Sequence, residues 1–307
     1  MPTPAASAQS LNLRSLGALT LRQGDNDKNH VWGGRAQPDV SGTPIQDLQT
    51  VLIAVGTLTA SADGQFGAQT QMALRRFQWY VAHLRHRLKL APGALAATGT
   101  ISQYPQPGNI ALGICDAGTA DLLLSWQSDH FVTTSPLVRL SLDAVSNIQT
   151  SDTFQVLAYP SAQEREVLVH ADFASTISCV MNEEAKKANV TLRINQTFRR
   201  EDILPTGAIV SPAKKSQHLA GHAVDLNIVD GGTINSSAMF NAGTETAGAD
   251  TFVDAVKAKG LRWGGDFHPA DPVHFDDFLE PDSEDFSMTL FFAQRCFHQN
   301  HPMRQVA

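Results

Sequence analysis

Ile45, Leu48, Leu52 and Val55 recur at helical spacing, with Gln49 beside Leu48 and Gly56 as a stop signal. They predict a first amphipathic helix. Asp63-Gly64 marks a turn. A second helix is predicted from Thr70, with Met72, Ala73, Leu74, Phe77 and Val81 as its apolar face. Residues 89–110, rich in Pro, Gly, Ala and Thr, read as a long loop. Beyond them, residues 113–127 can be laid over 64–78. Gly113 then falls on Gly64, Thr119 on Thr70, Leu123 on Leu74, Trp126 on Phe77 and Gln127 on Gln78. The overlay is either a degenerate second repeat at 111–130 or two helices with similar caps. Phe77 and Trp126 are expected to pack helices rather than to offer sugar platforms.

The second half changes period. Residues 164–189 read as one long helix. Val190, Leu192 and Ile194 then alternate, and so do Val224, Leu226 and Ile228, which leave Ala223, Asp225 and Asn227 on the opposite face. Residues 252–259 predict a helix closed by Gly260, and 263–265 and 273–275 predict short strands around a loop. Helices interleaved with short antiparallel strands give an α+β fold class. The expected organisation is a disordered N-terminus at 1–14, a small mostly helical domain at 15–130, a connector at 131–163 and a second domain at 164–307.

A length of 307 residues suits about two domains. The net charge of −7 argues against nucleic acid as the main partner, because phosphate binding needs a basic surface. No run reaches the roughly 18–20 apolar residues that span a bilayer, so no membrane partner is expected. The first residues lack a basic segment followed by an apolar core and do not read as a Sec signal. Cys115, Cys179 and Cys296 form no CxxC pair. They exclude a cysteine zinc site and are expected to be inert buried thiols, with one disulfide left open.

The densest chemistry is the run from Ser216 to Asp225, SQHLAGHAVD, followed by Asp271-Pro272-Val273-His274. His218, Asp225 and His274 supply two imidazoles and a carboxylate. Such a set suits a catalytic Zn2+, which takes three protein ligands and keeps a fourth position for water. His218 and His222 are four apart, as in HExxH helices, but Leu219 stands where the Glu would be, so His222 is expected to be a neighbour and not a ligand. Ser211-Pro212-Ala213-Lys214 matches S-x-x-K, but its partner motifs S-D-N and K-T-G are absent.

The pattern S-x-H-x-x-G-x-A-x-D, with an acid three residues before a second His, resembles the zinc D-Ala-D-Ala carboxypeptidase and L-Ala-D-Glu endopeptidase family, which has the hedgehog/DD-peptidase fold. The run Trp263-Gly264-Gly265-Asp266 before Asp271 and His274-Phe275 is similar to the endopeptidase branch, which includes many phage endolysins. This resemblance covers about residues 165–280. It implies that His218, Asp225 and His274 bind zinc, that Asp271 is the catalytic base, that Arg199 faces the substrate carbonyl and that Ser216 binds substrate. Leu48-Gln49, Gly56, Asp63-Gly64-Gln65-Phe66-Gly67, Thr70, Ala73 and Phe77-Gln78 resemble the common peptidoglycan-binding module, a small three-helix fold. The two resemblances together imply a wall-bound peptidase with peptidoglycan stem peptides and glycan as its partners.

The expected function is an endopeptidase of peptidoglycan. It would be made in the cytoplasm and act in the periplasm or cell wall, as a phage endolysin or as an injected antibacterial effector with an immunity protein as partner. Two alternatives are a D,D-carboxypeptidase that removes terminal D-Ala and an inactive peptidoglycan-binding protein. The intact Asp271 argues against the last.

Overall fold

Helix α1 (Pro44–Ala54) starts with a proline in its first turn, where a missing N–H costs nothing. Its buried face is Ile45, Leu48, Gln49 and Leu52, joined by Val55 just beyond its end. Helix α2 (Ala68–Trp79) buries Thr70, Ala73, Leu74, Phe77 and Gln78. Met72, expected on that face, is instead 39% exposed. Helix α3 (Ala117–Ser128) begins at Asp116, whose carboxylate accepts the Thr119 N–H at 2.7 Å. Trp126 of α3 sits edge-on to Phe77 at 5.2 Å, and both are buried, so they pack the helices together.

The computed structural model describes residues 10–84, 112–140, 148–150, 167–202, 213–298 and 304–306, except 18, 131 and 134. The loop at 89–110 lies outside the described residues. Two units emerge, Met1–Thr133 and Thr134–Ala307.

In the first unit one buried amide organises the turn before α2. The Gln49 side-chain nitrogen shares its two hydrogens among Asp63 Oδ1 at 2.8 Å, the Gln65 carbonyl at 3.1 Å and Thr70 Oγ1 at 3.0 Å. Its oxygen accepts the Gly64 N–H at 2.8 Å. Gly64 has φ +71°, a conformation that favours glycine. Gln78 repeats the arrangement one helix later. Its oxygen accepts the Gly113 N–H at 2.8 Å, and its nitrogen donates to the Ile114 carbonyl at 3.0 Å and meets Thr119 Oγ1 at 3.5 Å. Gly113 and Thr119 are the residues that the overlay places on Gly64 and Thr70. Gln49→Ala would strand buried partners and is expected to destabilise this unit by about 2–4 kcal/mol, read by urea unfolding.

Two corrections concern the boundaries. The segment expected to be disordered at 1–14 contains a capped turn: Asn12 Oδ1 accepts the Ser15 N–H at 3.0 Å, and Leu13 is 2% exposed. Burying Leu13 and Leu16 anchors it. The expected connector at 131–163 contributes two strands of the second unit, β1 (Leu137–Leu140) and β2 (Ile148–Thr150). Leu137, Val138 and Leu140 are buried, which is why this stretch belongs to a core.

Strand β3 (Val167–His170) follows, and only then helix α4 (Ala171–Cys179), which continues as a wider π-type turn over Val180–Glu184. The single long helix expected at 164–189 is therefore wrong at its start. Val167, Leu168 and Val169 are all fully buried in a sheet, and the His170 ring caps the helix by accepting the Asp172 N–H at 3.2 Å. The main sheet contains β4 (Thr191–Gln196), β5 (Ala223–Asp230), β6 (Thr233–Asn235), β7 (Arg262–Trp263) and β8 (His274–Asp276). Its order is β7-β8-β5-β4-β2, with β6 also paired to β5. All these pairs are antiparallel except β2 with β4. A second sheet pairs β1 with β3 and with β9 (Arg304–Val306).

Leu192, Ile194, Val224, Leu226 and Ile228 face a core shared with Phe173 and Ile177 of α4 and with Phe252, Val253 and Val256 of helix α7 (Ala247–Ala258). The period of two thus leaves the opposite face of β5, with Asp225, free for chemistry. Between β6 and α7 lies the short helix α6 (Ser237–Ala242), and α8 (Glu284–His298) follows β8. Among the described residues, no helix is long and apolar enough to cross a membrane. Cys115 and Cys179 are free thiols, Cys115 fully buried and Cys179 half-buried. The Cys296 side chain lies outside what is described.

Candidate active site

The sheet register builds the site. His274 of β8 stands directly opposite Asp225 of β5. His218 arrives from a single helical turn, α5 (Gln217–Ala220), that the strand pattern did not predict. Gly221 ends this turn with φ +79°. A Cβ there would come within 2.6 Å of the Leu137 side chain and 2.9 Å of the His170 nitrogen, so both conformation and space require glycine.

His218 Nε2, His274 Nδ1 and Asp225 Oδ1 form a triangle with edges of 3.1, 3.0 and 3.0 Å. The outer atom of each ring is spoken for. His218 Nδ1 lies 2.8 Å from the Thr197 carbonyl, which can only accept, so Nδ1 carries a hydrogen. His274 Nε2 lies 2.9 Å from Asp276 Oδ2, which as a carboxylate likewise accepts. In their neutral form the imidazoles turn two lone pairs toward each other and toward a carboxylate oxygen. Three electron-pair donors converging at hydrogen-bond distance call for a cation. Tetrahedral zinc with bonds of ~2.0–2.1 Å spaces its ligand atoms about 3.3 Å apart, within a few tenths of an ångström of these edges. The residues present fit such an ion.

Without a metal, a proton on His274 takes the cation's place. Burial works against a charged His274 ring, but hydrogen bonds to Asp225 and Asp276 outweigh it and raise its pKa to about 10 when no metal competes. Burial also opposes ionisation of Asp225, yet the two imidazoles hold it well below the usual carboxylate range.

Asp271 lies beside the triangle. Burial, and then the Asp225 carboxylate, push its pKa up, with His274 and His218 pulling it back. Its N–H donates to the Gly264 carbonyl at 2.7 Å, and its carbonyl accepts the His274 N–H at 2.9 Å. Trp263 fixes the same loop by donating from Nε1 to the Pro272 carbonyl at 2.8 Å. A Cβ on Gly264 would collide with the Asp271 carbonyl and crowd His274, which explains the glycine at that place in the Trp263-Gly264-Gly265 run.

Arg199 is 5% exposed, and its N–H donates to the His218 carbonyl at 3.0 Å. Burial lowers its pKa, and the Asp225 charge opposes that shift. Arg200 instead pairs with Asp202, with Nε 2.8 Å from the carboxylate. Ser216 precedes α5 in extended conformation, half-buried, and makes no cap bond. His222 points elsewhere: its Nδ1 meets Asp277 at 2.8 Å, and its ring stacks on His170 at 4.3 Å.

Two residues escaped the sequence reading. Asp276 orients His274. Gln294 of α8 is buried and donates to the Arg199 carbonyl at 2.8 Å and the Leu219 carbonyl at 2.6 Å, while its oxygen accepts the Glu201 N–H at 2.9 Å. One amide thus ties the Arg199 segment to the His218 turn, and the C-terminal helix is part of the scaffold. A second acidic group, Cys179 with Glu183 and Glu184, could in principle hold an ion, but Glu184 is taken up by Lys187 at 2.8 Å and Lys259 at 3.3 Å.

Comparison with known families supports the broad reading. Residues 210–277 match the family described as D-alanyl-D-alanine carboxypeptidase, and residues 41–81 match the putative peptidoglycan binding domain. Over these segments the chain is similar to a D-Ala-D-Ala carboxypeptidase domain preceded by a peptidoglycan-binding domain. Both matches support a peptidase that acts on peptidoglycan. The matched segment holds Ser216, His218, Asp225, Asp271 and His274, and it leaves out Arg199 and α8. No curated protein matches the chain significantly.

Proposed function

We propose that the protein is a zinc-dependent endopeptidase that hydrolyses amide bonds in the stem peptides or cross-links of peptidoglycan. The convergence of His218, Asp225 and His274 lone pairs, with Asp271 alongside, carries the reading. A zinc ion held by His218, Asp225 and His274 would polarise the amide carbonyl and acidify a water. Asp271, its pKa raised toward the working range of a general base, takes the proton of the attacking water and hands it to the leaving amine. The buried Arg199 guanidinium donates to the oxygen that gains charge. Ser216, half-buried at the start of α5, binds the peptide beside the site. The peptidoglycan-binding domain favours polymeric wall as substrate, which supports cleavage within it.

Removal of terminal D-Ala is the second reading, favoured by the description of the family that residues 210–277 match. Purified pentapeptide and cross-linked dimer muropeptides separate the two. Scission of a cross-link or a newly exposed D-Glu amine supports the endopeptidase, whereas loss of terminal D-Ala alone makes it a carboxypeptidase. Arg199→Ala is expected to lower kcat by about 100- to 1,000-fold, as loss of one oxyanion donor does, with little change in bound zinc. Steady-state kinetics with metal analysis checks this.

A further inference from the structure

Asp276 is fully buried, and all its acceptor positions are filled. Oδ1 takes Arg262 Nε at 2.7 Å and the Phe278 N–H at 3.1 Å. Oδ2 takes Arg262 Nη2 at 2.7 Å and His274 Nε2 at 2.9 Å. The bidentate fork fixes the plane of the carboxylate as well as its place. Arg262 is itself held between two rings, 3.9 Å from the centre of Phe278 and 4.9 Å from that of Phe267. Phe278 adopts φ +40°, a strained value for an aromatic residue. That backbone presents its N–H to Asp276 while its ring lies against Arg262, whose side chain remains 39% exposed. A costly conformation retained beside a candidate metal ligand points to function.

We propose that Asp276, oriented by Arg262 and Phe278, is a positioning residue that sets the metal affinity of the site through His274. The inference rests on the metal-centre reading above. With Asp276 accepting from Nε2, the His274 hydrogen stays on the outer nitrogen and the Nδ1 lone pair faces Asp225 and His218. Without it, the ring can turn over or take the other tautomer, and one of three ligands is lost for part of the time. Outer carboxylates of this kind raise the basicity of the ligating ring and typically change metal affinity by about 10- to 100-fold. A buried ion pair with a purely structural role would lower stability without touching the metal.

The test uses the full chain with Zn2+ alone as probe, titrated against a chromophoric chelator, with Co2+ absorption as a second readout. Asp276→Ala is expected to bind Zn2+ about 10- to 100-fold more weakly and to shift the Co2+ spectrum. Asp276→Asn keeps an oxygen for Nε2–H and should recover part of the loss. Arg262→Gln, at a partly exposed position, should weaken binding by roughly 10-fold, the low end of that range, and it decides the matter if the alanine variant does not fold. Wild-type affinity and spectrum in Asp276→Ala, or in Arg262→Gln where only that variant folds, would overturn the inference while leaving the metal centre intact. A wild-type chain that binds no Zn2+ would instead remove the metal-centre reading, and this inference with it.

Discussion

Asp271→Ala is expected to keep its zinc and to release peptides from peptidoglycan about 100- to 10,000-fold more slowly than the wild type. The residue lies outside the triangle of donor atoms, so its loss leaves the ligand set whole. Its backbone bonds to Gly264 and His274 do not involve the side chain and survive the substitution. What disappears is the one carboxylate whose pKa is raised by burial and by Asp225, and which can therefore hold a proton during the reaction and give it up afterwards. Kinetics on purified peptidoglycan, with zinc measured on the same samples, reads both halves of the expectation. Full activity in a zinc-loaded variant would assign the proton transfer elsewhere. A full biological effect without measurable hydrolysis would favour a binding protein.

His218→Ala is expected to abolish activity and metal binding together. It removes one corner of the triangle and leaves the Thr197 carbonyl, which now accepts from the ring, without that partner. Zinc sites of this kind need three protein ligands, so two cannot hold the ion against a mild chelator. Chelation of the wild type should reproduce the defect, and added Zn2+ should restore the wild type but not the variant. His222→Ala is the matched control. That ring pairs with Asp277, and its loss should leave the metal content unchanged.

How far the sequence could be read depended on how local each signal was. The turn before α2 is written in one short stretch from Gln49 to Thr70, where the Gln49 amide meets the Gly64 N–H, the Gln65 carbonyl and the side chains of Asp63 and Thr70. The candidate cluster was legible because Asp225 on a strand face, a glycine four residues earlier and a later His three residues after an acid each have a geometric purpose. The alternation that put Val224, Leu226 and Ile228 inward fixed the side on which Asp225 emerges.

Other features had no local signature. Val167–His170 is a short apolar run next to a helix, and periodicity cannot tell a buried strand from an extra helical turn. Leu137–Leu140 becomes a strand only because β3 pairs with it. Asp276 stands beside Asp277 in the sequence, and nothing there says which one reaches His274; the alternation of β8 decides it. Gln294 lies on a helix far along the chain, and its three bonds to Arg199, Leu219 and Glu201 exist only in the folded unit.

Metal-dependent amide hydrolysis in peptidoglycan is read out by mass spectrometry of fragments released from the purified polymer. The full chain is incubated with and without chelator, beside Asp271→Ala matched for zinc content. Split cross-links or peptides with a new amino terminus are expected from the wild type alone, lost on chelation and regained with Zn2+. Unchanged peptidoglycan in the presence of folded, zinc-loaded wild type would contradict it.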